Sequence, residues 1–207
     1  MSMKKGVLVL AAGFSSRFGG SKLSAILGNG STVLQQTLRR ISAATDNIVI
    51  ITRRELIEEG ILDSGACQAA TLRSNSRTNQ TSTLRIVLCD DSHLGMGHTL
   101  TFGISQIKDW DACLVCLGDM PFISTSTYQQ LLAVLRSDNI VIPEYQGKAG
   151  NPVGFGKNFF DELLGISGDG GGREIIQANR QQGLRVSVSD GAILEDIDTR
   201  ADLQRLQ

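Results

Sequence analysis

Five short runs rich in Val, Ile and Leu, separated by stretches of helical periodicity, constrain the fold of this chain more than any other feature. The runs cover residues 6–11, 47–52, 84–89, 112–117 and 139–143. Near-continuous apolar runs of this length suit strands whose two faces are both covered. Between and after them, apolar residues recur three and four apart over 33–44, 54–62, 98–107, 125–136, 159–164 and 173–182, the pattern of helices with one buried stripe. Strands alternating with helices predict βαβ units, and so an α/β fold: a three-layer αβα sandwich around a Rossmann-like, mostly parallel sheet. The 207 residues, 41% hydrophobic and with only three prolines, show no compositional break and are expected to form one domain over 1–207. A last short helix follows Asp198 and Thr199, either of which can cap it.

Composition excludes several classes of function. The longest apolar run, residues 7–14, falls far below the roughly 20 residues of a membrane span. The basic start runs into a Gly/Ser/Arg loop without a cleavage-site pattern and reads as a first strand. With 20 basic and 21 acidic residues, the chain lacks the broad positive field that tracks nucleic acid. Neither a membrane nor nucleic acid is an expected partner. Four cysteines (Cys67, Cys89, Cys113, Cys116) form no disulfide framework and fit a reducing cytoplasm. Cys113 and Cys116, three apart on a strand, point to opposite faces and read as structural. Asp109-Trp110-Asp111 precedes a strand and reads as a surface turn, and His93 and His98 form no triad or zinc pattern. The polar run TLRSNSRTNQTST at 71–83 reads as a mobile loop and a candidate contact for a partner enzyme.

The chemistry concentrates after the strands. LAAGFSSRFGGSKL, directly behind the first strand, has glycines (Gly13, Gly19, Gly20) that let backbone amides approach phosphate oxygens, with Arg17 and Lys22 as fixed positive charges. It matches neither the dinucleotide fingerprint nor the ATPase P-loop, and a plain flexible turn is the competing reading. LGDMPFI places Asp119 at a strand's carboxyl end, where ligands gather in open α/β sheets and where one carboxylate can hold Mg²⁺. Its competing role, capping the next helix, suits Ser124 better. In EDIDTRADL, Asp196 and Asp198 share one face if extended and either can complete a metal site, while a solvated acidic turn is the blander reading. The glycine-dense segments 147–155 and 165–173 read as backbone shaped around a ligand, with Arg173 at a helix start suited to an anion.

Taken in order and spacing, LAAGFSSRFGGSKL, LGDMPFI, GNPVGF, GDGGGR and EDIDTRADL resemble the molybdenum cofactor nucleotidyltransferase family, especially its cytidylyltransferase branch. The resemblance covers nearly the whole chain and implies a sheet fold of the nucleotide-diphospho-sugar transferase type. It implies an NTP site at Leu10, Ala11, Ala12, Gly13, Ser15, Arg17, Lys22 and Gly118, with Lys22, Arg17 and Asp119 catalytic and Mg²⁺ on Asp119 and Asp198. Asp196 stays open as the second ligand. It further implies an acceptor site at Asn151, Pro152, Asp169, Gly170 and Arg173, with Thr99 where the family usually has serine. Ala12 favours the cytidylyl branch, since guanylyl-transferring relatives more often have two glycines there. Three departures stand out: Asn151 replaces the usual histidine, no glycine follows at Ile51-Thr52-Arg53, and the 71–83 loop is longer than usual.

The activity so implied is transfer of CMP from CTP to the terminal phosphate of molybdopterin, with release of pyrophosphate and delivery to a recipient molybdoenzyme. An acceptor phosphate is already anionic near neutral pH, so no strong general base is needed. The alternatives are the same chemistry with GTP or with another phosphorylated acceptor such as a sugar phosphate, and a non-catalytic nucleotide-binding accessory of a molybdoenzyme.

Overall fold

The computed structural model describes residues 3–14, 18–62, 83–166 and 171–206. Among the described residues eight strands form one sheet in the order β3-β2-β1-β4-β7-β5-β6, with β8 also paired to β5. They are β1 (Lys5–Ala11), β2 (Asn47–Thr52), β3 (Thr83–Leu88), β4 (Ala112–Leu117), β5 (Ile140–Tyr145), β6 (Lys148–Ala149), β7 (Val153–Gly156) and β8 (Gly183–Ser187). Pairings among β3, β2, β1 and β4 are all parallel, as is β5 with β8, whereas β7 runs antiparallel to both β4 and β5. The mostly parallel, doubly covered sheet expected from the sequence is therefore present, with one reversed strand inside it.

Period-two alternation along the strands divides the core into two layers. Val7, Val9 and Ala11 face α1 (Val33–Ser42) and α4 (Thr125–Val134), where Leu34, Ile41, Tyr128 and Leu131 are buried. Leu8 and Leu10 face α3 (Met96–Ser105) and α5 (Phe160–Leu164), where Leu100, Ile104, Phe160 and Leu163 are buried. Cys116 lies in the first layer and Cys113 in the second, so the C-x-x-C pair faces both ways, and burial pushes both thiols well up. Both are free thiols, as is Cys89, while Cys67 lies outside the described residues. Among the described residues no helix is long and apolar enough to cross a membrane.

Local chemistry explains most element ends. Thr32 caps α1 through a capping box with Gln35, and Ser124 caps α4 by accepting from Thr127 N–H. Thr199, not Asp198, caps α7 (Arg200–Arg205), paired reciprocally with Asp202. The helix expected over 54–62 stops as α2 (Arg54–Glu58), with Gly60 turning at positive φ just beyond. The helix expected over 173–182 ends as α6 (Arg173–Ala178), where Asn179 leaves helical geometry and bonds its own amide to the Ile175 carbonyl and to Glu162.

The structure adds three strands to the sequence reading and corrects one residue. The segment 147–155, read as backbone shaped around a ligand, supplies β6 and most of β7, because Gly154 lets β7 lie where a Cβ would come within 2.8 Å of Leu135. β8, absent from the sequence reading, forms beside β5 although its residues are largely exposed. Trp110, read as part of a surface turn, is 3% exposed and packs over Gly6, whose missing Cβ makes room for the indole. Asp109 beside it remains at the surface, ion-paired with Lys4. Replacing Trp110 with Ala is expected to cost about 3–5 kcal/mol, the range for truncating a buried aromatic, as measured by urea unfolding.

Candidate active site at the carboxyl edge of the sheet

Parallel pairing of β1 with β4 delivers their following loops to the same edge, with Leu10 opposite Leu117. Gly118 N–H donates to the Leu10 carbonyl at 3.0 Å and its own carbonyl accepts from Thr37 Oγ1 at 3.0 Å. A Cβ at Gly118 would stand 3.2 Å from both Ala11 and Leu34, so glycine lets the two loops close on each other. Asp119 follows, 8% exposed, with Oδ1 buried and lacking a hydrogen-bond partner among the described residues.

The C-terminal segment reaches this point through its backbone. Ile197 is fully buried in the first core layer, and its N–H donates to the Asp119 carbonyl at 3.1 Å. Residues two apart on an extended chain share a face, so anchoring Ile197 turns Asp196 and Asp198 together toward Asp119. One carboxylate oxygen from each of the three lies within 4.8 Å of the others. Lys22, at the start of a 3₁₀ turn (Lys22–Ser24), places Nζ 2.5 Å from Asp119 Oδ2 and 2.7 Å from Asp198 Oδ1. Burial opposes the Lys22 charge, but Asp119 and Asp198 outweigh it and hold its pKa above the ordinary lysine value. Burial likewise pushes the Asp119 carboxyl up by more than Lys22 pulls it down, and Asp196 adds to the upward push.

Asp190 ties the approach to this cluster. Its Oδ2 accepts from Ser124 N–H at 2.8 Å and from Thr127 Oγ1 at 2.7 Å, and its Oδ1 accepts from Ala192 N–H at 3.2 Å. The loop after Asp119 is thereby joined to the turn Gly191–Leu194 that leads into Asp196. From that turn the Ile193 carbonyl accepts from Asn151 N–H at 2.9 Å. Asn151 and Pro152, linked by a cis peptide, therefore stand at the same edge, just before β7 begins opposite β4.

The structure thus brings together Leu10, Ala11, Ala12, Gly13, Lys22, Gly118, Asp119, Asp196, Asp198, Asn151 and Pro152 along one edge. Arg173 opens α6, a helix packed through Ile175 and Ile176 against the second core layer, and its side chain is exposed. Ser15, Arg17, Asp169, Gly170 and the 71–83 loop up to its last residue lie outside the described residues. His93 is exposed and Thr99 is buried in α3, where its hydroxyl bonds back to the Gly95 carbonyl. Sequence reasoning missed Arg53, which donates to the Gly13 carbonyl at 3.0 Å and lies 4.8 Å from the Phe14 ring centre, bracing the start of the glycine-rich loop. Its signal was position alone: a cation directly after β2, the strand beside β1. Asp190 was missed as well, though Asp-Gly is a turn signal.

Comparison with known proteins decides the family. The model described as a MobA-like NTP transferase domain matches residues 7–184. The chain belongs to the MobA-like NTP transferase family. It is 25% identical over 194 residues to the purine catabolism protein PucB of Bacillus subtilis (strain 168), covering 92% of this chain and 89% of PucB. A homologue of Mycobacterium tuberculosis Rv0371c from Mycobacterium sp. strain JC1 superposes with a TM-score of 0.76 at 28% identity, covering 98% of this chain and 94% of that one. The manganese complex of Rv0371c from M. tuberculosis H37Rv superposes at 0.72 and 23% identity, covering 99% and 98% of the two chains. As a MobA-like NTP transferase, the protein is a nucleotidyltransferase with the nucleotide-binding Rossmann-like fold of its neighbours.

Asp190 gives this transferase a pH-sensitive brace. Burial pushes its carboxyl up, but Ser124 and Thr127 pull it further down, below its ordinary value. A depressed carboxyl stabilises above the unfolded-state pKa, and the contribution is lost as pH falls through the folded-state value. Asp190→Ala is expected to lower unfolding free energy by about 1–2 kcal/mol at pH 7. In an acid unfolding series the difference from wild type begins to shrink below about pH 4, where the unfolded-state carboxyl starts to protonate, and is lost once pH has fallen through the lower folded-state value.

Proposed function

We propose that this chain transfers CMP from CTP to the terminal phosphate of molybdopterin. The observation that carries the reading is the trio of carboxylates, two of them bridged by Lys22, set beside the Leu10–Gly13 segment at the carboxyl edge. An acceptor phosphate oxygen forms a bond to the α-phosphorus of CTP in line, and the bond to the β-phosphate bridging oxygen breaks, releasing pyrophosphate. The acceptor arrives anionic, so the protein's task is to position two anions and stabilise charge.

Leu10, Ala11, Ala12, Gly13, Ser15, Arg17 and Gly118 form the nucleotide side, and loop amides with Arg17 and Lys22 meet the phosphates. The donor set fits a hard divalent ion: three carboxylates converge, and the buried Asp119 Oδ1 has no hydrogen-bond partner among the described residues. Asp119 and Asp198 would hold it, with Asp196 as the third oxygen source within reach. When bound, Mg²⁺ supplies positive charge to the triphosphate oxygens. That the similarly folded Rv0371c forms a complex with manganese supports a divalent ion for this fold. Asn151, Pro152, Asp169, Gly170 and Arg173 form the acceptor side. The pairing of Asn151 with the turn that leads to Asp196 supports an acceptor lying across the carboxylates from the nucleotide. Ala12 supports cytosine over guanine, and the product passes to a recipient molybdoenzyme.

Pyrophosphate release tests the reading, with Mg²⁺ and each of CTP, GTP, ATP and UTP, with and without molybdopterin. Release that requires molybdopterin and favours CTP is expected. Preference for GTP overturns the cytidylyl assignment, and release with a sugar phosphate but not with molybdopterin overturns the acceptor. Under the productive condition Asp119→Ala is expected to lower kcat by at least about 10²-fold, and turnover close to wild type removes Asp119 from the metal site.

A further inference from the structure

Lys22 is placed on the carboxylates themselves. Its ammonium is bonded to one oxygen of Asp119 and one of Asp198, and its side chain is 14% exposed, so the ion pair is substantially shielded. Those two residues are also the metal ligands of the proposed function, on which this inference rests. The ammonium holds Asp119 Oδ2 and Asp198 Oδ1 against a divalent ion, and the lysine's positive charge repels a dication approaching the remaining oxygens at such close range. We propose that Lys22 is the resident cation of this site and is exchanged for the metal when the triphosphate binds.

The exchange follows from position and reach. Three carboxylates and one ammonium leave two negative charges that attract a divalent ion, but the ammonium stands on oxygens of both Asp119 and Asp198, so the ion reaches those oxygens only if the ammonium has somewhere to go. Lysine is a point charge on a flexible four-carbon stem, and the glycine-rich loop that carries it is the one expected to receive phosphates. A triphosphate draws the ammonium off the carboxylates and leaves their oxygens to the metal. Metal and nucleotide then strengthen each other, because coupling between two binding events is reciprocal. Lys22 is in this respect a positioning residue for the metal as well as a phosphate contact. It offsets part of the negative charge of the metal-free site and makes the site a poor metal trap until nucleotide is present.

The consequence runs against the usual expectation for removing an active-site residue. Lys22→Met in the full chain is expected to bind Mn²⁺ more tightly than wild type without nucleotide, by about tenfold or more, equivalent to about 1.4 kcal/mol per factor of ten. Mn²⁺ titration followed by electron paramagnetic resonance reads this directly. Lys22→Arg, which keeps the charge, is expected to stay close to wild type. Melting temperatures in EDTA and in Mn²⁺ supply a second readout, with a larger Mn²⁺-induced rise for Lys22→Met than for wild type. Equal or weaker Mn²⁺ binding by Lys22→Met overturns the exchange while leaving the metal assignment standing. Failure of wild type, Lys22→Met and Lys22→Arg alike to bind Mn²⁺ overturns the metal assignment and the exchange with it.

Discussion

A carboxylate taken out of water at the end of a central strand is unfavourable unless positive charge accompanies it. Asp119 is under that constraint, and the elements around it follow from it. The loop after β1 returns Lys22 to within 2.5 Å of Asp119, and the last segment of the chain is anchored to the Asp119 backbone by Ile197. Asp196 and Asp198 add further negative charge where it is already costly, which no stability requirement explains. An arrangement that concentrates carboxylates around a buried one makes physical sense where cations are to be recruited.

The two sides of the edge are held by different means. On the side of β1, adjacent parallel strands fix the geometry: β1, β2 and β4 end together, Gly118 closes the gap, and Arg53 braces Gly13. On the other side, loops are held by hydrogen bonds between loops, with Asp190 linking Ser124 to Ala192 and the Ile193 carbonyl linking to Asn151. Ladder pairing resists local opening better than single side-chain bonds.

What the sequence revealed follows the strength of the local signal. β1, β2 and β4 were legible because they are fully covered and read as unbroken apolar runs. β7 was not, because two of its four residues are glycine, chosen by close packing against Leu135 and the loop after α4 rather than by strand propensity. β8 was not, because an exposed edge strand lacks an apolar run. Asp119 and Lys22 could be found from motif and position. The common face of Asp196 and Asp198 could be stated, but that it meets Asp119 depends on one backbone hydrogen bond from Ile197, which residue types do not encode.

The reversed strand gives the two halves of the edge separate origins. β1 and β4 leave their loops at the edge as they finish, whereas β7 enters from it, preceded by the short hairpin of β5 and β6. Residues 146–152 are thus suspended between two strands that begin and end elsewhere, and their replacement leaves the pairing of β1 with β4 untouched. A chain built this way can rewrite one hairpin at the rim while inheriting intact the strand ends that carry Gly118 and Asp119.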